Sequence, residues 1–184
     1  MKTNIIPAIR LTIVTLVFFG VVYPALVWAV AQLAPNAGQG EVVITHGKKY
    51  YANIGQTFTE DRFFNGRPSA VGYNAAGSGG SNKGPSNPEY LAMVRARIDT
   101  FLVHNPGVTK KDIPVELVTA SGSGLDPDIS PEAARIQVNR IASVRKIPVE
   151  QIRQLIDANT EKPLFGLFGP AKVNVLSLNM ALEN

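Results

Sequence analysis

Residues 11–33 read LTIVTLVFFGVVYPALVWAVAQL and contain no charged side chain. As a helix rising about 1.5 Å per residue, this stretch spans about 34 Å, enough for a bilayer hydrocarbon core of about 30 Å. It sets the architecture: one transmembrane helix near the N-terminus, with the remainder of the chain as a separate folded domain. Trp28 lies toward the far end of the span, where amphipathic rings favour the membrane interface. A cleaved signal peptide is the competing interpretation, since Lys2 and Arg10 form a short basic start and Ala29-Val30-Ala31 is a small-x-small site. The apolar run exceeds the usual signal core of about 7–15 residues, which favours an uncleaved anchor.

The flanks set the expected orientation. Lys2 and Arg10 precede the span, whereas the first charge after it is Glu41, with Lys48 and Lys49 further on. The positive-inside rule then assigns residues 1–10 to the cytoplasm, 11–33 to the transmembrane helix and 34–184 to an extracytoplasmic domain at the cell's inner (cytoplasmic) membrane. Within the span, Pro24 cannot donate to the carbonyl of Gly20, and its ring presses on that turn. Gly20, Tyr23 and Pro24 are therefore candidates for packing against a membrane partner, because a freed carbonyl and a mid-span hydroxyl need neighbours in lipid. A tolerated kink is the plainer alternative.

Bulk properties narrow the choices. The chain has 184 residues, 45% hydrophobic and 17% charged, which suits a globular domain with an apolar segment added. With Lys2 and Arg10 set aside, basic residues outnumber acidic ones by only two, and no basic stripe interleaved with aromatics argues for nucleic acid. There is no cysteine, which excludes disulfides, thiolate metal sites and cysteine nucleophiles. His46 and His104 are far apart and carry no ligand spacing, so no metal site is expected.

After an exit linker at residues 34–40, strands are predicted over 41–45 and 49–54 around a turn at His46-Gly47. Phe58, Phe63 and Phe64 flank an acidic turn and are expected to tie the adjoining loop to the core. Residues 65–91 read NGRPSAVGYNAAGSGGSNKGPSNPEYL. This stretch is too polar and glycine-rich for a packed element, and too long for a casual connection. It leads into a helix whose cap is either Ser86, with Glu89 three residues on, or Asn87, with Pro88 at the first helical position. Leu91, Val94, Ile98, Phe101 and Leu102 give the helical stripe, with Arg95, Arg97 and Asp99 on the solvent side, and Asn105-Pro106-Gly107 ends it.

Downstream, residues 113–118 form a strand or a single helical turn, and Ser121–Asp128 is a second polar loop. A helix capped by Ser130 carries Ala134, Val138, Ile141 and Val144 on one face, with Arg135, Asn139 and Arg140 elsewhere on it. Pro148 opens another helix with Val149, Ile152, Leu155 and Ile156 inward. The stretch 160–172 holds Leu164, Phe165, Leu167 and Phe168 among glycines, either as an exposed contact patch or folded back on the domain. The alternation over 173–182 predicts a half-buried strand. The fold class is therefore α+β.

Nucleophile-elbow, zinc-protease and Walker A patterns are absent, and Asp126 and Asp128 do not complete a calcium-loop pattern. Ser78, Gly79, Gly80, Ser81 and Asn82 can present successive backbone N–H groups, the way nests hold anions. Short glycine-serine runs are more often simple turns.

The conjunction of FNGRPSA at 64–70, YNAAGSGGSN at 73–82 and GPSNPEYL at 84–91 is specific, and GVVYP, IGQ, the 122–134 segment, RIA at 140–142 and VNVLSLNMAL at 173–182 accompany it. Over essentially its whole length the sequence resembles the C subunit of the Kdp-type potassium-transporting P-type ATPase, the KdpC family. The resemblance implies a non-catalytic accessory subunit with a single transmembrane helix. Its implied partners are a channel-like potassium-binding subunit, a catalytic P-type ATPase subunit and a small single-span subunit. It implies no intrinsic cofactor; the family is described as a catalytic chaperone that raises ATP affinity, with nucleotide contact proposed near Ser78–Asn82. That role conflicts with an extracytoplasmic loop, since ATP is cytoplasmic. Arg67, Pro68, Tyr73 and Asn74 are instead candidate partner contacts, Arg67 as a planar fork for carbonyls or carboxylates, or else as a tie within its own loop. A membrane-anchored extracytoplasmic interaction module and an extracytoplasmic hydrolase are the alternatives from other classes.

Overall fold

The computed structural model describes residues 4–34, 36–45 and 47–183. The expectations placed on Lys2, on Pro35 of the linker and on His46 of the turn lie outside these residues. The chain divides into two compact units, Met1–Val42 and Val43–Asn184.

The first unit is dominated by one apolar helix over Ile5–Ala31. It comprises α1 (Ile5–Val17), a wide π turn (Phe18–Val22) and α2 (Tyr23–Ala31). The helix begins before the charge-free stretch because Pro7 falls in its first turn, where no intrahelical N–H bond is lost. The π turn answers Pro24. The Tyr23 N–H reaches five residues back to the Phe18 carbonyl. This widening accommodates a residue that can neither donate to the Gly20 carbonyl nor tolerate it at close range. No residue of α1, the π turn or α2 is buried.

The second unit begins with a two-stranded ribbon, β1 (Val42–Thr45) and β2 (Lys48–Tyr51). The second strand ends before the predicted Ile54, because the chain turns there and the Ile54 N–H bonds the Tyr51 carbonyl at 3.1 Å. No helix or strand interrupts residues 52–87. Helix α3 (Pro88–His104) comes next, with Asn87 as its cap: the side chain accepts from the Tyr90 N–H at 3.0 Å. Of the two caps considered, Ser86 is thus not used, and Glu89 turns to Lys83 at 2.7 Å. Residues 113–118 contain a short 3₁₀ turn at Val115–Leu117 and no strand.

β3 (Asp128–Ile129) leads to α4 (Pro131–Arg135), α5 (Val138–Arg145) and α6 (Val149–Ala158). Ser130 caps α4 by accepting from the Ala133 N–H at 3.1 Å. β4 (Thr160–Glu161) and β5 (Lys172–Asn174) complete a small antiparallel sheet in the order β3-β5-β4, with buried Val173 opposite both Ile129 and Thr160. The chain ends in α7 (Val175–Ala181).

Helix α7 corrects the strand predicted over 173–182. Only its first residues are extended. Asn174 then caps a helix by accepting from the Ser177 N–H at 3.0 Å, and Val175, Leu178, Asn179 and Leu182 turn inward at helical spacing. Taken as a polar surface position, Asn179 makes the stretch look alternating; it is in fact buried.

Three polar side chains explain how the irregular segment at 63–65 enters the core. Phe64 is 0% exposed, although it belongs to neither helix nor sheet. Its N–H donates to Asn179 Oδ1 at 2.8 Å, and its carbonyl accepts from Asn179 Nδ2 at 2.9 Å. The Asn65 N–H donates to Gln137 Oε1 at 2.8 Å, and its carbonyl accepts from Gln137 Nε2 at 3.2 Å. Arg140 donates to the Phe63 carbonyl and to Asn65 Oδ1, each at 2.7 Å. Two side-chain amides thus do what a neighbouring strand would do. Arg140, set off the apolar face in sequence, is only 6% exposed. Burial lowers its pKa from the usual arginine value, and Asp61 opposes that shift. Arg97 leaves the solvent side, donating to the Val118 carbonyl at 3.1 Å, whereas Val144, on the apolar face, is exposed.

Replacing Asn179 with Ala strands the buried N–H and carbonyl of Phe64 together. We expect a loss of about 3 kcal/mol or more in urea unfolding, against less than about 0.5 kcal/mol for exposed Asn139→Ala. Equal midpoints for the two variants would refute the clamp.

Candidate functional site

The surface built by residues 65–82 takes its shape from the segment 121–126. Ser121 donates its N–H to the Pro68 carbonyl at 3.1 Å, and Ser69 Oγ donates to the Gly124 carbonyl at 2.7 Å. The same Ser69 oxygen accepts from the N–H groups of Val71 and Tyr73 at 3.2 and 2.9 Å. Buried Ser121 accepts through Oγ from the Gly124 N–H at 2.9 Å. Further along, the Gly79 N–H and Ser78 Oγ both donate to the Ser123 carbonyl, at 2.8 and 3.0 Å. Two irregular loops therefore satisfy each other, as two strands would, but without a ladder.

Glycines permit this approach. At Gly124 the backbone is left-handed, φ +68°, and an added Cβ would lie 2.5 Å from Val71 Cγ2 and 2.7 Å from the Gly79 carbonyl oxygen. At Gly55 a Cβ would lie 2.5 Å from the Asp126 carbonyl oxygen, next to the 2.7 Å bond from the Gly55 N–H to the Leu125 carbonyl.

The residues singled out from the sequence separate into distinct groups. Arg67 pairs with Asp126 at 2.9 Å, both side chains about one-quarter exposed, so it ties its own loop to the facing one. Pro68 supplies the carbonyl that Ser121 meets. Tyr73, left-handed at φ 58°, turns its hydroxyl back to donate to the Arg67 carbonyl. Burial, with Asp126 nearby, raises the Tyr73 pKa above the ordinary tyrosine value and keeps that donor protonated. Asn74 is exposed and folds the next turn by accepting from the Ala76 N–H at 3.0 Å.

Ser78 and Gly79 spend their donors on Ser123, and Gly80 lies against the Gly122 backbone, where a Cβ would come within 3.1 Å of the carbonyl oxygen. Ser81 is half-buried, and Asn82 is exposed with φ 52°. Gly20, Tyr23 and Pro24 belong to the first unit. A Cβ on Gly20 would meet nothing within 4 Å, and Tyr23 is exposed, so this stretch of the helix is an open surface.

A concavity of ≈ 540 Å³ lies along α3, where Arg97, His104, Asp61 and Arg140 share a wall with Phe58, Phe101 and Met93. His104 Nδ1 and Asp61 Oδ1 are 2.8 Å apart. Sequence reasoning missed this grouping, along with Gln137, Arg140, Asn179 and the Asp126 partner of Arg67. Each pair is separated by dozens of residues, and no local pattern signals it. Among the described residues there is no cluster of His, Cys, Asp and Glu suited to a metal ion.

Among the described residues, one apolar helix is long enough to cross a membrane, and it is followed by an α+β domain whose loop surface is built from backbone and glycine. Comparison with known proteins agrees in detail. The family model described as "KdpC: K+-transporting ATPase, c chain" matches residues 5–184. A potassium-transporting ATPase KdpC subunit of Bacteroides fragilis is 56% identical over 187 residues, covering 100% of this chain and 97% of that protein. The like-named subunit of Flavobacterium psychrophilum is 52% identical over 181 residues, covering 98% and 97%. That of Caldanaerobacter subterraneus subsp. tengcongensis is 46% identical over 176 residues, covering 95% and 91%. The chain belongs to the KdpC family.

Gly124→Ala forces a Cβ into occupied space at a left-handed position. We expect amide hydrogen exchange across residues 69–80 to accelerate by about tenfold or more. Gly77→Ala, whose Cβ meets nothing within 4 Å, serves as the control and should leave exchange unchanged. Identical exchange in both variants would refute the interlocking of the two loops.

Proposed function

We propose that this chain is the non-catalytic accessory subunit of an ATP-driven potassium import complex. Membership of the KdpC family supports the potassium-transport role. The observation that carries the assembly role is the apolar helix: 27 residues, none of them buried, with an open surface at Gly20 inside a proline-induced π turn. Small residues let helix backbones approach closely, and the Tyr23 hydroxyl is satisfied in lipid only by a neighbour. Its partners are the channel-like potassium-binding subunit, the catalytic P-type ATPase subunit and the small single-span subunit of the same complex.

The orientation follows the charges: N-terminus in the cytoplasm, residues 34–184 outside the inner membrane. There the domain caps the outer mouth of the potassium pathway. Arg67, Pro68, Tyr73 and Asn74 shape the contact surface, with Asn74 at its rim. Internal use of the Ser78 and Gly79 donors favours a partner surface over a phosphate cradle at Ser78–Asn82. Direct nucleotide contact, and with it the role of raising ATP affinity, requires that segment to face the cytoplasm.

Two experiments test this. Gly20→Leu combined with Pro24→Leu fills the open surface and removes the cause of the π turn; co-purification with the partner subunits should fall severalfold, and unchanged recovery would overturn the packing role. Ser81→Cys, in a chain without other cysteines, should react with a membrane-impermeant maleimide in intact cells whose outer barrier is permeabilised. Labelling only after the inner membrane is breached would reverse the orientation and revive nucleotide contact.

A further inference from the structure

Residues of α3 and of the segment 58–65 supply most of the lining of the ≈ 540 Å³ concavity. Small-molecule sites occupy about 300–1,000 Å³. The charged groups on the lining are Arg97, Arg140, Asp61 and His104, and the two arginines are the unbalanced part. Arg97 is half-buried and donates through Nη1 to the Val118 carbonyl at 3.1 Å. Its Nε and Nη2, which share one edge of the guanidinium plane, make no bond to any described residue, and neither is sealed from solvent. Arg140 spends Nη1 on Asn65 Oδ1 and Nη2 on the Phe63 carbonyl and Gln137 Oε1, all neutral acceptors. Among the described residues no carboxylate forms a salt bridge with either guanidinium. Asp61, the one carboxylate on the lining, is turned to His104, with Nδ1 and Oδ1 2.8 Å apart. We propose that this concavity is a binding site for a small organic carboxylate with an apolar body.

The carboxylate belongs on Arg97. The free Nε–Nη2 edge offers two parallel N–H donors, the geometry that matches the two oxygens of a carboxylate. Arg140 adds charge rather than a bond. It is 6% exposed, its Nη donors are committed and its Nε is covered, but a positive charge fixed in low-dielectric surroundings is felt across the cavity. Against the two guanidinium groups stands Asp61 alone, so with His104 neutral the lining keeps one net positive charge, and the same balance repels a cation. Asn105 Oδ1 is also covered and sets no acceptor against the anion. Phe58, Met93 and Phe101 form the wall for the apolar body. The occupant is a small molecule rather than a protein: the unbalanced charge is confined to one guanidinium edge in a cavity of ligand size, whereas a stable protein interface needs about 800 Å² from each partner. All lining residues belong to the unit Val43–Asn184, so the site does not depend on how the N-terminal helix is placed.

The probe is hydrocinnamate, an aryl carboxylate, with its neutral amide hydrocinnamamide as the comparison. The full chain, with isotope-labelled methionine methyl groups, is reconstituted in lipid nanodiscs and titrated by NMR. Met93 on the lining reports the site, and half-buried Met180, which is not on the lining, is the internal reference. With hydrocinnamate the Met93 methyl should shift and saturate while Met180 stays in place. Hydrocinnamamide on the unaltered chain, and hydrocinnamate on Arg97→Gln, should each bind at least about tenfold more weakly. Arg95→Gln, on the exposed side of the same helix, should bind as the unaltered chain does. A Met93 shift that grows without saturating, or equal affinity for acid and amide, overturns the site. A loss in Arg95→Gln as large as that in Arg97→Gln overturns the assignment of the carboxylate to Arg97. The comparison of acid with amide uses unaltered protein, so it decides the matter even where Arg97→Gln fails to fold.

Discussion

Everything in the larger unit depends on burying backbone that has no ladder to join. A peptide group taken out of water without a partner costs about as much as a lost hydrogen bond, and an irregular segment offers no regular partners. At Phe63–Asn65 the solution is side-chain mimicry. The carboxamides of Asn179 and Gln137 each present one donor and one acceptor at peptide-like spacing, so each completes a peptide group as a strand would. Arg140 then ties the two together by donating to Gln137 Oε1 at 2.8 Å as well as to the segment itself. An arginine stays charged even where burial lowers its pKa, so it keeps a net of oxygen acceptors around it in place.

That constraint explains the adjoining loop. Because Phe64 is locked at the core, the next residues leave it in a defined direction and meet the segment 121–126. The contact repeats the same rule with different means. Hydroxyls of Ser69, Ser78 and Ser121 replace carboxamides, and glycines replace side chains wherever two backbones touch. The surface that results is stiff yet poor in side chains.

Much of this was legible in the sequence. The apolar span, the α+β class, the Ser130 cap, the stripe of α6 and, in α3, Val94, Ile98, Phe101 and Leu102 follow from periodicity and composition, which are local properties, whereas Leu91, predicted with them, is exposed. The family was legible too, because its motifs are local strings. The failures share one physical cause: polar residues whose partners lie far along the chain. Asn179, counted as a surface position, turned a helix into an apparent strand. Arg97, assigned to the solvent side, and Arg140, set off the apolar face, are drawn in by the carbonyls of Val118 and Phe63, which only the fold brings near. The pairing of Arg67 with Asp126 joins residues in two loops, where no periodicity exists to be read.

The helix over Ile5–Ala31, long and apolar enough to cross a membrane, follows the same accounting. In water, an unpaired carbonyl is a small loss. In hydrocarbon it costs several kcal/mol, so a segment meant for lipid must close its own bonds. The π turn does this for the helix by handing the Phe18 carbonyl to Tyr23 just before proline removes a donor.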